Sequence, residues 1–486
     1  MKILKELTIG FIIGMICMNL SLIVSEKKLT SIHTVTFTDS SGKVLDVKEY
    51  KCGDKIVYPD FNQDKYYFFG WRLDAPKTMP DHDLLISAES VLLSDLCYFN
   101  EGEITGLKVY KNTIIIPTYY INEQGQRVNI HTISHNSHFY DKNTPVHFLG
   151  TIEDWCNITF TTAEANPMFH YYDVYMYVAS GGLGVLTNVY IPKSITEIKN
   201  YQFINNYHMD SIIFSDSVKV IGEKAFSGCS DLKKVTFTTG TTTFKKDAFI
   251  NTRNLKDVYF TGNASDWLNL DFESFDSSPM SSGEVLYFLN ANGIFEQVEE
   301  IEVPDHFTSI KPFTLTSINN LKKLVIGNKI QKFEESFYGS DSLKEFYYKG
   351  TLSDWCRVEI SSPENSPMSF AEEFYCWNES GEKELITNLV IPSDITTINS
   401  YQFYGFKQLE EIHIGSSVKT INYQAFSDCD KIEKVYISSS LETIKTHAFS
   451  FTTVGDVYCE SQSKPAGWQI DWNTIATNVT WDYQEK

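Results

Sequence analysis

Apolar side chains recur along this chain on a fixed ruler. Phe203, Phe226 and Phe249 are equally spaced, and Phe403, Phe426 and Phe449 repeat the same step. Behind the anchor, apolar residues follow at +6, +9 and +11, as in Leu232, Val235 and Phe237 or Leu255, Val258 and Phe260. The last two enclose one residue that is free to be polar. That two-step alternation is the period of a strand with one face on a core. A second apolar pair precedes the anchor, Val218 and Ile221 in one turn and Val418 and Ile421 in another. A constant period of roughly 20–30 residues marks a coil whose turns bury their faces only against neighbouring turns. The pattern predicts a mainly β fold with short helical turns, wound as a solenoid.

A longer ruler overlies the first. The segments "GTIEDWCNI", "GNASDWLNL" and "GTLSDWCRV" set Trp155, Trp267 and Trp355 in matching surroundings. At one constant distance beyond each Trp a Met follows a proline, at Met168, Met280 and Met368. A further proline (Pro192, Pro304, Pro392) and then the next anchor position (Phe203, Leu315, Phe403) also keep their intervals in all three. Three modules that agree over this span are internal duplications. Thr151, Asn263 and Thr351 each stand three places before Asp154, Asp266 and Asp354. That spacing predicts a capping box: the first side chain accepts from a free amide, and the carboxylate faces the positive end of a short helix. The repeated aspartates are read as caps, in preference to acid/base catalysts.

The segments "IPKSITEIKNYQF", "SVKVIGEKAFSGCSDLKKVTF" and "SVKTINYQAFSDCDKIEKVYI" resemble BspA-type leucine-rich repeats, which occur on bacterial and some protist surface proteins. The likeness implies a leucine-rich-repeat solenoid over residues 100–459 with three Trp-containing inserts, and a C-terminal cap over 460–486 in which Trp468 and Trp472 cover the last turn. The first unit, "TIIIPTYYINEQGQRVNIHTISHNSHF", is degenerate. Residues 33–90 differ in kind: "HTVTFTDSSGKVLDVKEYKCGDKIVYPDFNQDKYYFFGWRLD" resembles a Listeria–Bacteroides repeat, which implies a small β-grasp-like module before the solenoid. Val35 and Phe37 alternate, Ser41-Gly42 marks a turn, and "FFGW" supplies an aromatic cluster.

The chain has 486 residues and a formal net charge of -21, from 62 acidic against 41 basic side chains. Such a surface repels polyanions at long range and argues against nucleic-acid binding. With 28 Tyr and 33 Phe, it is too aromatic for an acidic disordered tail. Lys2 and Lys5 precede an apolar run from Leu7 to Val24. Residues 1–25 are expected to be a signal peptide cut near Ser25 or an N-terminal membrane anchor, so the rest is expected to be secreted or on the cell surface. Membrane contact is expected only through that segment if it is uncleaved.

Candidate chemistry is sparse. The anchor+3 position holds Cys229 and Cys429, but Asn206, Thr252, Ser340 and Thr452 elsewhere. Side chains interchangeable on one ladder fill a structural slot, and Cys229 has no matched His base. Cys156 and Cys356 follow their tryptophans where Leu268 stands in the second module, as small buried hydrophobes do. His131, His135, His138, His147 and His170 include an H-x3-H spacing that can ligate zinc, but the segment aligns with a repeat turn instead of a helix. "ASGGLGV" is read as a turn between strands. No cofactor and no metal are expected, and no catalytic residue is assigned.

The remaining candidate is a surface. The middle residue of each strand points away from the core, and in a solenoid these residues line up. In order they are Tyr190, Ile213, Thr236, Tyr259, Glu302, Val325, Tyr347, Val390, His413 and Tyr436. The candidate ligand contacts are Tyr190, Tyr259, Tyr347, His413 and Tyr436. Tyrosine offers flat apolar area with a polar handle; it is also a good strand former that ladders with its neighbours. The expected function is non-enzymatic adhesion to an extracellular protein or glycan, on a host or neighbouring cell, through this face. A passive spacer or scaffold of the cell envelope is the alternative, and a secreted hydrolase a third class.

Overall fold

The computed structural model describes residues 31–484 apart from 62–63, 73–74, 135–143, 171–172, 179–180, 334, 379, 453 and 473–475. The N-terminal apolar segment, with Cys17 and Ser25, lies outside the described residues, as do His135 and His138. Among the described residues no helix is long and apolar enough to cross a membrane. The chain divides into two compact units, residues 1–130 and 131–486.

In the first unit, β1 (Ile32–Thr38), β2 (Val44–Lys51), β3 (Tyr66–Trp71) and β4 (Leu84–Leu92) form a mixed sheet in the order β2-β1-β4-β3. The central β1–β4 pair is parallel and both flanking pairs are antiparallel. The β1–β2 turn falls on Ser41-Gly42, with Gly42 at φ 87°. Asp39 closes it: its Oδ1 accepts from the Ser41 and Lys43 amides at 2.9 and 3.0 Å and from the Ser41 hydroxyl at 2.6 Å. These donors, the Ser41 hydroxyl foremost, hold the Asp39 carboxyl below its ordinary pKa. Val35, Phe37, Ile56, Met79 and Ile86 form the core, and the rings of Tyr58 and Trp71 pack 5.8 and 5.2 Å from Phe37. Residues 97–129 pair as antiparallel hairpins, among them Cys97–Asn100 with Glu103–Leu107 and Tyr119–Ile121 with Arg127–Asn129. The division between the two compact units falls after Ile130.

The second unit is the repeat coil. Parallel strands Asn188–Ile191, Ser211–Phe214, Lys234–Phe237 and Asp257–Phe260 pair at a constant step, so that each residue lies beside its counterpart one repeat later. On a second side, two-residue strands from Glu197–Ile198 to Asp271–Phe272 make a narrower ladder. The third side carries the anchors. Phe203, Phe226 and Phe249 stack with centroids 5.3 and 5.1 Å apart, and Phe403, Phe426 and Phe449 at 5.2 and 5.1 Å. Each anchor turn hangs on the next by main-chain bonds, such as Phe203 N to Ala225 O and Phe226 N to Ala248 O, both 2.8 Å. The turn needs a left-handed residue two places past the anchor, supplied by Asn205, Gly228, Asn251, Gly405 and Asp428. At Gly228 a Cβ would sit 2.0 Å from Asn205 Oδ1, so a larger residue there would have to displace the Asn205 side chain of the preceding turn.

The capping boxes are present at all three tryptophan helices: Asp154, Asp266 and Asp354 return a carboxylate to the main-chain N–H of Thr151, Asn263 and Thr351. Each tryptophan is fully buried, and its indole N–H donates to the carbonyl 47 residues later: Trp155 to Gln202 at 2.9 Å, Trp267 to Thr314 at 2.7 Å, Trp355 to Gln402 at 3.2 Å. The longer ruler is thus a physical strut from insert to repeat.

The inserts also break the sheet. After the second and third tryptophans a strand joins the parallel ladder and then folds back as a hairpin, Val285–Leu289 with Phe295–Gln297 and Glu373–Trp377 with Lys383–Leu385. The solenoid's main face from residue 188 onward is therefore three sheets of six, five and five strands, where one continuous ladder was expected. The described part of "ASGGLGV", Gly181 to Val185, lies in the corresponding hairpin after the first tryptophan, with Val178 N bonded to Gly182 O; Ala179 and Ser180 lie outside the described residues. At the far end, Trp468 and Trp472 are buried against each other, Trp468 donates to Leu441 O at 3.2 Å, and strand Ala476–Trp481 pairs in parallel with Val454–Cys459.

Candidate functional site

The outward positions of the three sheets run in register as Tyr190–Ile213–Thr236–Tyr259–Tyr287, Glu302–Val325–Tyr347–Tyr375 and Val390–His413–Tyr436–Tyr458–Thr480. The five predicted contact residues occupy these rows, but not one row: Tyr190 and Tyr259 belong to the first, Tyr347 to the second, His413 and Tyr436 to the third. Tyr287, Tyr375 and Tyr458 complete the rows and escaped the sequence reading. A signal existed for two of them, because Tyr175, Tyr287 and Tyr375 all follow their tryptophan at the same interval.

The rings face one another. Tyr259 stacks on Tyr287 at 4.6 Å, Tyr347 on Tyr375 at 4.5 Å, and His413, Tyr436 and Tyr458 form a column at 4.5 and 5.0 Å. Flat faces that sequence reasoning offered to a ligand are consumed within the ladder, and ring edges point outward. Tyr347 is the extreme case. Only 6 % exposed, it is flanked by the ammonium groups of Lys323 and Lys383 at 5.1 and 4.8 Å from its centroid. Its ring is taken up by these neighbours and by Tyr375, at a position the sequence offered as a ligand contact. Tyr190, by contrast, is 54 % exposed beside Ile213 at 45 %, with no ring stacked on it among the described residues.

Carboxylates occupy the same face two places earlier in the strands. Tyr347 donates to Glu345 at 2.6 Å and Tyr375 to Glu373 at 2.7 Å, while His413 Nε2 lies 2.6 Å from Glu411. The Glu373 hydrogen bond, with desolvation, pushes the Tyr375 phenol up to about 12. Desolvation first, then Glu345, raises that of Tyr347. These hydroxyls donate to the protein's own acids, an arrangement that orders the face.

The cysteines occupy packing positions. Cys229 and Cys429 donate to the carbonyl of the preceding turn's anchor, Phe203 at 3.0 Å and Phe403 at 3.2 Å; Thr452 does the same to Phe426 at 2.6 Å and Ser340 to Leu315 at 2.7 Å. Burial pushes the Cys229 thiol up to about 12, which removes the thiolate needed for nucleophilic chemistry. Cys156 and Cys356, behind their tryptophans, are likewise raised to about 12 by burial. Cys229→Thr, which keeps volume and donor, is expected to change unfolding free energy by less than about 1 kcal/mol; Cys229→Leu overpacks the slot and should cost about 1–3 kcal/mol. Urea titrations of the two variants measure this. Among the described residues no three His, Cys, Asp or Glu side chains gather to hold a metal ion.

Parallel strands stacked at a constant step, an anchor ladder and a hydrogen-bonding slot behind it define a leucine-rich repeat protein. The family model for the BspA type leucine rich repeat region matches six copies, over residues 182–278, 292–357 and 379–472, just over half of the chain, and the chain belongs to that family. No match was found among curated proteins. Among solved structures, a leucine rich cell surface protein from Faecalibacterium prausnitzii is similar at 15% identity and TM-score 0.26, covering 88% of this chain and 96% of its own. The pneumococcal vaccine antigen PcpA matches at 12% identity and TM-score 0.33, covering 80% and 96%. A leucine-rich repeat protein from Bacteroides ovatus matches at 15% identity and TM-score 0.28, covering 87% and 90%. The family model does not extend over residues 33–90.

Proposed function

We propose that this is a secreted or cell-surface binding protein that adheres to an extracellular protein or glycan through the outward face of its repeat sheets, without covalent chemistry. The N-terminal segment is its export signal or tether, and the β1–β4 unit is an accessory module of the Listeria–Bacteroides type. The observation that carries this reading is the exposed apolar pair Tyr190 and Ile213, adjacent in register on the first sheet. Elsewhere on the face, rings are stacked or half-buried; here apolar area is left to a partner. The double variant Tyr190→Ser with Ile213→Ser should leave the melting temperature unchanged and weaken capture of host matrix or neighbouring cells at least tenfold. Unaltered capture, or no capture by the parent protein across protein and glycan arrays, rejects adhesion through this face.

The stacked rows favour a second reading, a passive envelope spacer. Rings that satisfy each other need no ligand. Under it, no variant of the face changes any surface phenotype.

A further inference from the structure

The points where the sheet breaks have a shape of their own. Return strand Lys383–Leu385 runs back along Glu373–Trp377; after Ile386 and Thr387 the chain enters Asn388–Val390, the first strand of the next sheet. These two strands are terminal in separate sheets and diverge from the two-residue link. Between them lies an open notch of about 580 Å³, lined by Leu352, Trp377, Glu384, Val390 and Asp394 among others. An equivalent notch of about 520 Å³ separates Phe295–Gln297 from Glu300–Glu302. Its lining residues Asn263, Leu289, Glu296 and Glu300 precede Thr351, Trp377, Glu384 and Asn388 of the first by one and the same offset. A notch that recurs in this way is a feature of the module.

One wall of each notch is a free strand edge. Ile391 N donates to His413 O at 3.0 Å and Glu411 N to Thr387 O at 3.3 Å, so residues 387, 389 and 391 turn their main-chain groups into the sheet. Alternation then aims the N–H and C=O of Asn388 and Val390 at the notch. Val303 N, bonded to Val325 O at 2.8 Å, sets the same phase for Glu300 and Glu302. Both strands end their sheets, with no partner on the notch side among the described residues. An unpaired edge is a template for another strand. Val390, at 58 % exposed, adds an apolar lip. Glu299, Glu300 and Asp394 in the linings are ion-paired with Lys322, Lys323 and Arg357, which leaves Glu296 in one notch and Glu384 at the equivalent position of the other as exposed carboxylates with no cation against them among the described residues. A second copy of a chain with formal charge -21 is a poor occupant of a slot whose remaining unpaired charge is a carboxylate.

We propose that each notch accepts an extended basic segment of a partner protein, which adds as a strand to the edge Glu300–Glu302 or Asn388–Val390 and sets a Lys or Arg side chain against Glu296 or Glu384. The proposal rests on the binding reading above and names its partner chemistry. At about 3.3 Å per residue, a three- to five-residue segment spans such an edge.

The test uses the full chain and a phage-displayed library of random ten-residue peptides. Selected peptides should be enriched in Lys and Arg alternating with β-branched residues, and N-methylation of alternate amides should weaken them at least tenfold. The double variant Glu302→Pro with Val390→Pro removes one notch-facing N–H per edge while the inward bonds remain, and should also weaken binding at least tenfold; Val390→Thr, which keeps the N–H, should stay within about threefold. Peptides that bind the proline variant like the parent, or tolerate N-methylation everywhere, overturn the proposal. So does a library that yields no basic sequence. Should the proline variant not fold, the N-methylated peptides on the parent chain decide alone. Light scattering that shows a dimer dissolved by the proline changes would assign the edges to a second copy and also overturn it. Peptide binding that survives Tyr190→Ser with Ile213→Ser, while cell capture does not, separates the two sites. Capture lost only in the proline variant sinks the sheet-face reading and leaves the notch.

Discussion

Replacing Trp267 by alanine should cost about 3–5 kcal/mol, enough to separate the second insert from the coil. The side chain is fully buried, its ring packs 5.5 Å from Phe260 and 5.9 Å from Phe272, and its indole N–H reaches Thr314 O at 2.7 Å. Deletion opens a cavity between strands of two sides and orphans a buried carbonyl. Trp267→Phe isolates the second effect: it keeps most of the apolar volume but loses the donor, and should cost about 1–3 kcal/mol. Native-state hydrogen exchange gives the spatial readout. In the alanine variant, amides of Asp257–Phe260 and Val285–Leu289 should lose protection before those of Glu411–Ile414, because coupling in a repeat array passes chiefly between neighbours. Equal loss throughout would mean the tryptophan is not a local strut.

The repeat fold was legible in the sequence because every turn solves the same packing problem. Phe226 and Phe249 must stack, so they must recur at one step. The capping boxes and the anchor+3 slot were legible for the same reason: Thr452 and Cys429 do one job with different atoms. The sheet breaks were not. Strand Val285–Leu289 carries the same alternation as any ladder strand, and only its antiparallel return, Phe295–Gln297, reveals that the ladder stops. Tyr287 and Tyr375 were hidden because the insert lengthens the strand step: Tyr287 follows Tyr259 at a longer interval than Tyr259 follows Thr236. Nor could sequence show which ring would be open. Tyr190 and Tyr347 occupy equivalent outward positions, yet burial of Tyr347 depends on Lys383, contributed by a return strand across the insert, and on Tyr375. Exposure on a repeat face is a property of neighbouring turns, which no single residue encodes.

That dependence also sets the size of the second large effect. Phe226→Ala should destabilise the coil by about 3–5 kcal/mol, and Phe449→Ala by clearly less. Phe226 is fully buried between Phe203 and Phe249, with Phe214 edge-on at 5.8 Å. Its removal breaks two stacks and leaves the void enclosed on both sides. Phe449 is 5 % exposed and stacks on Phe426 alone among the described rings, so its site can relax towards the end of the array. Both truncations delete the same atoms, and the difference between them isolates the enclosure of the cavity from the transfer of the ring. Urea midpoints of the two variants, with the slope compared to the parent, provide the measurement. Equal losses would imply that the terminal segment seals the last turn as tightly as a neighbouring repeat seals an inner one, and that Trp468 and Trp472 serve as a full structural substitute for another turn.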